Sequence, residues 1–372
     1  MQTGHLVARW ACALGLLTAL GAHAQIVVGQ TAGFSGPVAA GVKETTDGAR
    51  LYLDAVNARG GIHGQKVELV SLDDKFEPKL AAENALKLIT ERQVAALFLT
   101  RGTPHTQALA PLLVAYKVPL IGPSTGAMVL HEPVHPYIFN VRATYQREAE
   151  RAVRHLSLSG MERIAVVHVD DSFGADAMEG ASKGFAGVNK TPVLVEKFDR
   201  SHPDFGPVAQ KIQAADVQAV LFIGAGTALV EGTRAIRTAG SRAQVVTLSN
   251  NASSGFVKSM GELARGTIIT QVFPYERSIS APIVKEALEL AKARGASEVS
   301  PAMMEGYASA KVLVEALRRA GPSPSRERIL AALHSLRKFD LGGMEISYTP
   351  SDHSGLDYAD LSIIDDHGRF RR

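Results

Sequence analysis

The chain has 372 residues, of which 40 are basic and 37 are acidic, and its formal net charge is +3. This near balance excludes electrostatic attraction as the basis for binding nucleic acid or an anionic membrane. The only cysteine is Cys12, so no internal disulfide is possible, and the length is sufficient for two domains that each bury a core.

The first 24 residues predict a cleaved export signal. Arg9 precedes a short apolar stretch at 11–20, and residues 22–24 read Ala-His-Ala, the pattern of a signal-peptidase site. The apolar stretch is about half the length that a bilayer span needs, so we do not expect a permanent anchor. Cys12 follows Arg-Trp-Ala at 9–11 rather than small and apolar residues, which argues against a lipid anchor on this cysteine.

Strands and helices then alternate in two sets, a pattern typical of parallel sheets covered by helices. The first set is predicted as strands 26–31, 66–72, 94–99 and 118–122, with helices 42–58, 78–91 and one ending at 115. The second is predicted as helix 145–158, strands 163–169, 193–198, 219–223, 245–248 and 266–271, and helices 205–214 and 227–239. Helices 282–294, 301–320 and 326–336 and strands 344–348 and 361–365 complete the prediction, which is an α/β fold with two lobes.

Small hydroxyl and amide residues follow several of the predicted strands. In open α/β sheets ligands collect at the carboxyl ends of the strands, where helix N-termini present unpaired N–H groups. Each such residue can instead be an ordinary helix N-cap. As a set at one edge they predict a site for a small polar solute, and the candidates are Ser35, Thr103, Ser124, Thr125 and Asn250.

Three further residues are candidates because of their place in the predicted elements. Tyr145 and Phe173 stand at element ends, where aromatic rings form apolar walls for a ligand, although ordinary loop packing is the alternative. Glu305 interrupts an otherwise apolar helix and either contacts the ligand or is a helix-terminal charge.

Residues 122–126 read Gly-Pro-Ser-Thr-Gly and match G-x-S-x-G, the nucleophile elbow of α/β-hydrolases. A secreted serine hydrolase that uses Ser124 is therefore an alternative function. The second α/β set downstream favours a turn that lines a ligand cleft instead. The sequence has no cysteine pair, no HExxH motif and no complete phosphate-binding or dinucleotide-binding loop, so we predict no metal and no cofactor.

An ordered series of short motifs spans residues 25–372 and resembles the periplasmic binding proteins of the branched-chain amino acid (Leu/Ile/Val-binding) type, which are solute receptors of ABC importers. The motifs are Ser-Gly-Pro at 35–37, Asn-Ala-Arg-Gly-Gly-Ile-His-Gly at 57–64, Asp-Asp at 73–74, Val-Pro-Leu-Ile-Gly-Pro at 118–123, Phe-Asn-Val-Arg at 139–142, Phe-Gly at 173–174 and Glu-Gly-Tyr at 305–307.

The resemblance implies two Rossmann-like lobes with parallel-type sheets, joined by three hinge crossovers. It implies that 25–142 plus 273–343 form the first lobe and 143–272 plus 344–372 the second, and that the cleft closes on its ligand by hinge motion. It further implies a monomer in the periplasm, with a small-molecule solute and an inner-membrane ABC permease as partners. The ligand carboxylate is expected at the turns 101–103 and 123–126.

One departure from the family pattern bears on the ligand. The amino-acid receptors place an acidic residue after the strand that matches 245–248, where it holds the ammonium group, and Asn250 stands there in this chain. A neutral amide can form hydrogen bonds but cannot pair with a charge. The predicted solute is therefore either an amino acid or a small carboxylate without an ammonium group, such as an aromatic acid. A ligand-sensing domain without transport is a third reading, and it would be expected to carry a fused membrane or output segment.

Overall fold

The computed structural model describes residues 25–372, and the predicted signal peptide at 1–24 lies outside them. The first sheet has the strand order β2-β1-β3-β4-β5 and is wholly parallel. Its strands are β1 (Ile26–Ala32), β2 (Val67–Asp73), β3 (Ala96–Phe98), β4 (Leu120–Ile121) and β5 (Ile138–Phe139).

The second sheet has seven strands in the order β14-β13-β10-β9-β8-β6-β7. Five of them are parallel, and β13 and β14 add an antiparallel edge. Its strands are β6 (Ile164–Val169), β7 (Leu194–Phe198), β8 (Ala219–Ile223), β9 (Gln244–Thr247), β10 (Ile268–Gln271), β13 (Asp360–Ile364) and β14 (Phe370–Arg371). A separate two-stranded sheet pairs β11 (Phe339–Asp340) with β12 (Glu345–Ile346).

Helices cover both sheets. They are α1 (Ala39–Ala58), α2 (Pro78–Thr90), α3 (Thr103–Tyr116), α4 (Tyr145–Leu158), α5 (Ser172–Ala186), α6 (Gly206–Ala214), α7 (Thr227–Thr238), α8 (Ser254–Met260), α9 (Pro282–Ala293), α10 (Pro301–Ala320) and α11 (Arg326–His334). Within residues 25–372, none of these helices combines the length and apolar character that a bilayer crossing requires.

Each sheet has its own apolar core. The first core joins β1, β3, β4 and β5 to α1, α9, α10 and α11, and the second joins the strands β6 and β8–β10 to α4, α5, α6 and α7. Helices α9–α11 thus return to the first sheet after the chain has completed most of the second. The predicted α/β fold with two lobes is confirmed.

Three segments carry the chain between the lobes. They lie between β5 and α4, between β10 and α9, and between β12 and β13. The first and third run side by side, because Leu356 donates its N–H to the carbonyl of Val141 and the Tyr348 hydroxyl donates to the carbonyl of Asn140. Ile346, Tyr348 and Leu356 pack into the first core, while β13 and β14 join the second sheet. The predicted lobe bounds place all of 344–372 in the second lobe and stay a prediction.

Candidate functional site

The buried side chain of Arg101 spans the cleft between the lobes. β3 ends at Phe98, and the chain then turns through Leu99 and Gly102, both of which have positive φ. Arg101 donates from Nη1 to the Ser124 hydroxyl at 2.9 Å in its own lobe and from Nη2 to the Asn250 carbonyl at 2.6 Å in the other lobe. It is 6% exposed, and no carboxylate among residues 25–372 lies within salt-bridge distance of it. Arg101 is thus a buried cation that neutral groups alone hold.

Two threonine hydroxyls lie next to this arginine. Thr103 and Thr125 are buried and their Oγ1 atoms are 2.7 Å apart, which joins the start of α3 to the turn after β4. Thr103 does not cap α3, since Gly102 is the N-cap and no side chain caps this helix. The two hydroxyls are therefore each other's partners, and they link the turn that carries Arg101 to the turn that carries Ser124.

A second buried arginine, Arg142, occupies the first crossover, with Tyr145 and Phe173 beside it. Its guanidinium carbon is 4.5 Å from the centre of the Tyr145 ring, and that ring lies 4.6 Å from the ring of Phe173. Side-chain N-caps set the two aromatic residues in place, because Thr144 caps α4 and Asp171 caps α5. Burial raises the pKa of the Tyr145 phenol, and Arg142 and Arg101 oppose this shift. The Tyr145 ring thus lies against the guanidinium of Arg142 on one side and against Phe173 on the other.

Unlike Arg101, Arg142 has a carboxylate counter-ion. Its Nη2 pairs with Glu148 and also donates to the Ser249 hydroxyl at 2.8 Å. Glu148 is completely buried and accepts in addition from the Ser249 N–H at 2.8 Å and from the Thr270 hydroxyl. Burial is the largest single influence on the pKa of Arg142 and would lower it, but Glu148, Tyr145 and Glu305 together outweigh burial and keep the pKa above its usual value. The network fixes the crossover to the ends of β9 and β10.

Glu305 completes the wall of the cleft from α10, whose first turn is capped by the Ser300 hydroxyl. The residue is 4% exposed, and its Oε1 is 3.9 Å from Nη1 of Arg142. Neither of these two atoms has a hydrogen-bond partner among the described residues, and the same holds for Oδ1 of Asn250. The Asn250 Nδ2 is engaged, because it donates to the Gly224 carbonyl at 3.0 Å.

Seven of the eight candidates take part in contacts around Arg101, around Arg142 or between the two threonines, and one takes part in none of these. The seven are Thr103, Ser124, Thr125, Tyr145, Phe173, Asn250 and Glu305. Ser35 is exposed, and its hydroxyl and N–H both bond to Asp73, at 2.6 Å and 3.1 Å. Their roles in binding stay predictions, since the contacts show proximity alone.

Arg101 lies in the turn 101–103 where the family resemblance predicts the ligand carboxylate, but Arg101, Arg142 and Glu148 were not among the eight predicted site residues. A signal for Arg101 was present, because an arginine in the turn after an apolar strand stands at the edge where ligands collect.

Next to Arg101 a pocket of about 260 Å³ lies between the lobes, lined mainly by the small residues at 36–41 and by Asn250, Ser253 and Phe256. The cleft thus offers a cation, several hydroxyls and room for an apolar group.

Comparison with known proteins shows what the whole chain is similar to. Residues 25–365 match the family described as periplasmic binding protein. The chain is 26% identical to a Leu/Ile/Val-binding protein homolog of Brucella melitensis, over 96% of this chain and 95% of that protein. It is 25% identical to the Leu/Ile/Val-binding protein BraC3 of Rhizobium johnstonii, over 88% of each.

Solved structures give the same result for the fold. A substrate-binding periplasmic protein from Ralstonia solanacearum has a TM-score of 0.85 and 30% identity, and the match covers 93% of this chain and 99% of that one. An extracellular ligand-binding receptor from Verminephrobacter eiseniae has a TM-score of 0.84 and 29% identity, over 94% and 100% of the two chains.

Proposed function

Because the chain belongs to the periplasmic binding protein family, a family of solute-binding receptors, we propose that it binds a small carboxylate-bearing solute between its lobes and delivers it to an ABC import permease of the inner membrane. The predicted export signal at 1–24 is consistent with this proposal. The single observation that carries it is Arg101, a buried cation in the cleft with no carboxylate beside it in the described part of the chain.

A buried charge without a counter-ion is costly, since the protein interior solvates it far less well than water does. A ligand carboxylate supplies the missing charge, and guanidinium and carboxylate pair through two parallel hydrogen bonds. The Ser124 hydroxyl is bonded to Arg101 and can donate its proton to the same carboxylate, and Thr103 and Thr125 belong to the same two turns. The solute would thereby replace some of the neutral partners that Arg101 now has.

A hydrolase that uses Ser124 is not supported. The family is one of solute-binding proteins without enzymatic activity, so the prediction of a non-enzymatic protein is confirmed. The contacts of Ser124 agree, because its hydroxyl accepts from Arg101, and no imidazole within residues 25–372 forms a hydrogen bond with it. A serine nucleophile needs such a base to take its proton.

The relatives' names point to leucine, isoleucine and valine as their ligands. Asn250, however, follows β9 where the amino-acid receptors are expected to carry an acidic residue, and this favours a carboxylate without an ammonium group. We therefore assign to the chain the class of carboxylate solutes as a whole.

Calorimetry of wild-type protein with leucine, valine, 4-methylpentanoate, benzoate and 3-phenylpropionate tests the proposal. We expect at least one of these acids to bind, and we expect Arg101→Met to weaken its binding by about 100-fold or more, since a charged hydrogen-bonded partner is lost. Arg147→Met is the matched control, because this arginine is 44% exposed on α4 and should leave the Kd unchanged. Equal affinity in wild type and Arg101→Met would contradict the assigned role. Mass spectrometry of the acid-soluble material released from purified protein identifies any solute that co-purifies.

A further inference from the structure

A donor and an acceptor face each other across a gap in the wall of the cleft. Nη1 of Arg142 and Oε1 of Glu305 are 3.9 Å apart, which is too long for a direct hydrogen bond. Both side chains are more than nine-tenths buried, and neither atom has a hydrogen-bond partner among the described residues. Buried polar atoms are normally satisfied, so an unoccupied pair of this kind points to a partner from outside the chain.

The other polar atoms of Arg142 are already used. Its Nε donates to the Ala143 carbonyl at 3.2 Å, and its Nη2 holds Glu148 and the Ser249 hydroxyl. The guanidinium is therefore fixed on two sides and presents only Nη1 to the gap.

The backbone that carries Glu305 is held in place by the packing of α10 against α1. A Cβ atom on the next residue, Gly306, would lie 1.7 Å from the carbonyl oxygen of Thr45, so α10 and α1 are in backbone contact here. Hydrogen bonds thus hold the guanidinium on one side of the gap, and helix packing holds the backbone of Glu305 on the other. One oxygen atom placed about 2.8 Å from both Nη1 and Oε1 would fill the gap.

We propose that Arg142 and Glu305 together bind an uncharged substituent of the solute that both accepts and donates a hydrogen bond, in the simplest case a hydroxyl. This inference rests on the proposed function and narrows the solute to hydroxy acids. The hydroxyl oxygen accepts from Nη1, and its proton is donated to Oε1. An ammonium group would leave Nη1 unpaired and would face a second cation, while a second carboxylate would be repelled by Glu305. The solute carboxylate remains at Arg101.

Three acids that differ in one substituent test the inference by calorimetry. They are 4-methylpentanoate with no substituent at C2, 2-hydroxy-4-methylpentanoate with a hydroxyl and leucine with an ammonium group. The aromatic series 3-phenylpropionate, 3-phenyllactate and phenylalanine repeats the comparison. In at least one series we expect the hydroxy acid to bind about 10- to 100-fold more tightly than the unsubstituted acid, the effect of a hydrogen bond to a charged group. We expect the amino acid to bind more weakly than the hydroxy acid.

The variant Glu305→Leu tests whether the gap causes the preference for the hydroxy acid. It removes the acceptor, and we expect the affinity of the hydroxy acid relative to the unsubstituted acid to fall to about one while the unsubstituted acid still binds. Glu315→Leu on the same helix is the control, because Glu315 pairs with Arg319 away from the cleft and should leave the ratio unchanged. If Glu305→Leu does not fold, the two series on wild-type protein still decide the inference.

The opposing outcomes are distinct. Equal binding of the hydroxy and unsubstituted acids would overturn the inference and leave the proposed function standing, and the gap would then hold water only. Tightest binding of the amino acid would overturn it in favour of an ammonium site. Failure of all six acids to bind would contradict the proposed function as well.

Discussion

Two buried arginines of the same cleft have opposite surroundings, and this difference gives them different roles. Arg142 is paired with the completely buried Glu148, whose other contacts come from Ser249 and Thr270, so the charge of this arginine is neutralised within the fold. Among the described residues 25–372, Arg101 has only the Ser124 hydroxyl and the Asn250 carbonyl as hydrogen-bond partners. The counter-ion of Arg142 is therefore part of the fold, whereas the proposed counter-ion of Arg101 is the carboxylate of the ligand.

The structural role of the Arg142–Glu148 pair can be measured by stability. Glu148→Gln leaves a buried guanidinium without its nearest counter-ion, and we expect the free energy of unfolding to fall by about 3–5 kcal/mol in urea titrations. Glu150→Gln is the matched control on the same helix. Glu150 reaches only the exposed Arg154 and Arg147, at 3.5 Å and 4.0 Å, so its loss should cost less than about 1 kcal/mol. Similar losses in both variants would show that the buried pair contributes no more than a surface pair.

The position of a site residue at the end of a strand was easier to predict from the sequence than the contacts of its side chain. Thr103 and Ser124 were found because they follow strands, and their position at the cleft was predicted without the structure. Arg101 lies in the predicted turn 101–103 but was not among the candidates, because charge alone does not reveal burial and its partner Asn250 lies 149 positions away in the sequence. Ser35 has the same local pattern as the others, but Asp73 binds its hydroxyl, a contact that strand-end position could not indicate.

At the scale of elements, the helix pair α1 and α10 shows how a distant contact positions the site. Gly48 of α1 and Gly306 of α10 allow the two backbones to touch. A Cβ atom on Gly48 would lie 2.0 Å from the Met303 carbonyl oxygen, and one on Gly306 would lie 1.7 Å from the Thr45 carbonyl oxygen. The contact holds the first half of α10, and with it Glu305, against the first lobe. Small residues at these two positions are therefore a steric requirement.

Gly306→Ala should push the two helices apart. We expect the free energy of unfolding to fall by about 3 kcal/mol, because the added methyl meets backbone rather than a movable side chain. Gly187→Ala is the control at the end of α5, where φ is −65° and the nearest atom to the new Cβ is 3.4 Å away. That substitution should be neutral or stabilise by up to about 1 kcal/mol. Urea unfolding of both variants measures the difference, and an unchanged value for Gly306→Ala would show that the helices can separate without cost.

The fold itself was predictable where an element is long and buried. Helix α4, strand β8 and helix α10 have the predicted bounds, since each combines a clear apolar period with a cap or a buried run. The two-residue strands β5 and β14 were not predicted, because two residues carry no period. The segment predicted as strand 344–348 forms only β12, and it pairs with β11 rather than with a main sheet. Such pairing depends on the path of the third crossover, which local sequence does not specify.

On the scale of the whole molecule, the two lobes touch through backbone as well as side chains. The carboxylate of Glu44 on α1 accepts from the N–H groups of Ser254 and Gly255 at 3.0 Å and 2.6 Å, which joins the first lobe to the start of α8. At Gly226, just before α7, the approach is closer still, because a Cβ atom there would lie 1.8 Å from the carbonyl oxygen of Pro37 in the opposite lobe. Because this contact joins the two lobes and lies outside the core of either, a change at Gly226 should affect closure rather than folding.

Gly226→Ala should therefore prevent full closure while each lobe still folds. The expected result is a Kd raised by about 10-fold or more for the acid that binds tightest to wild type, because the second lobe cannot reach the solute bound at Arg101. In small-angle X-ray scattering, wild type should contract on adding this acid and the variant should contract less. Gly261→Ala is a closely matched control, since φ is +57° there against +59° at Gly226, and nothing lies within 4 Å of the new Cβ. Both variants share the backbone strain of alanine at positive φ, and only one adds a collision between lobes. If both variants bind and contract alike, the effect is strain alone, and the contact between Gly226 and Pro37 does not limit closure.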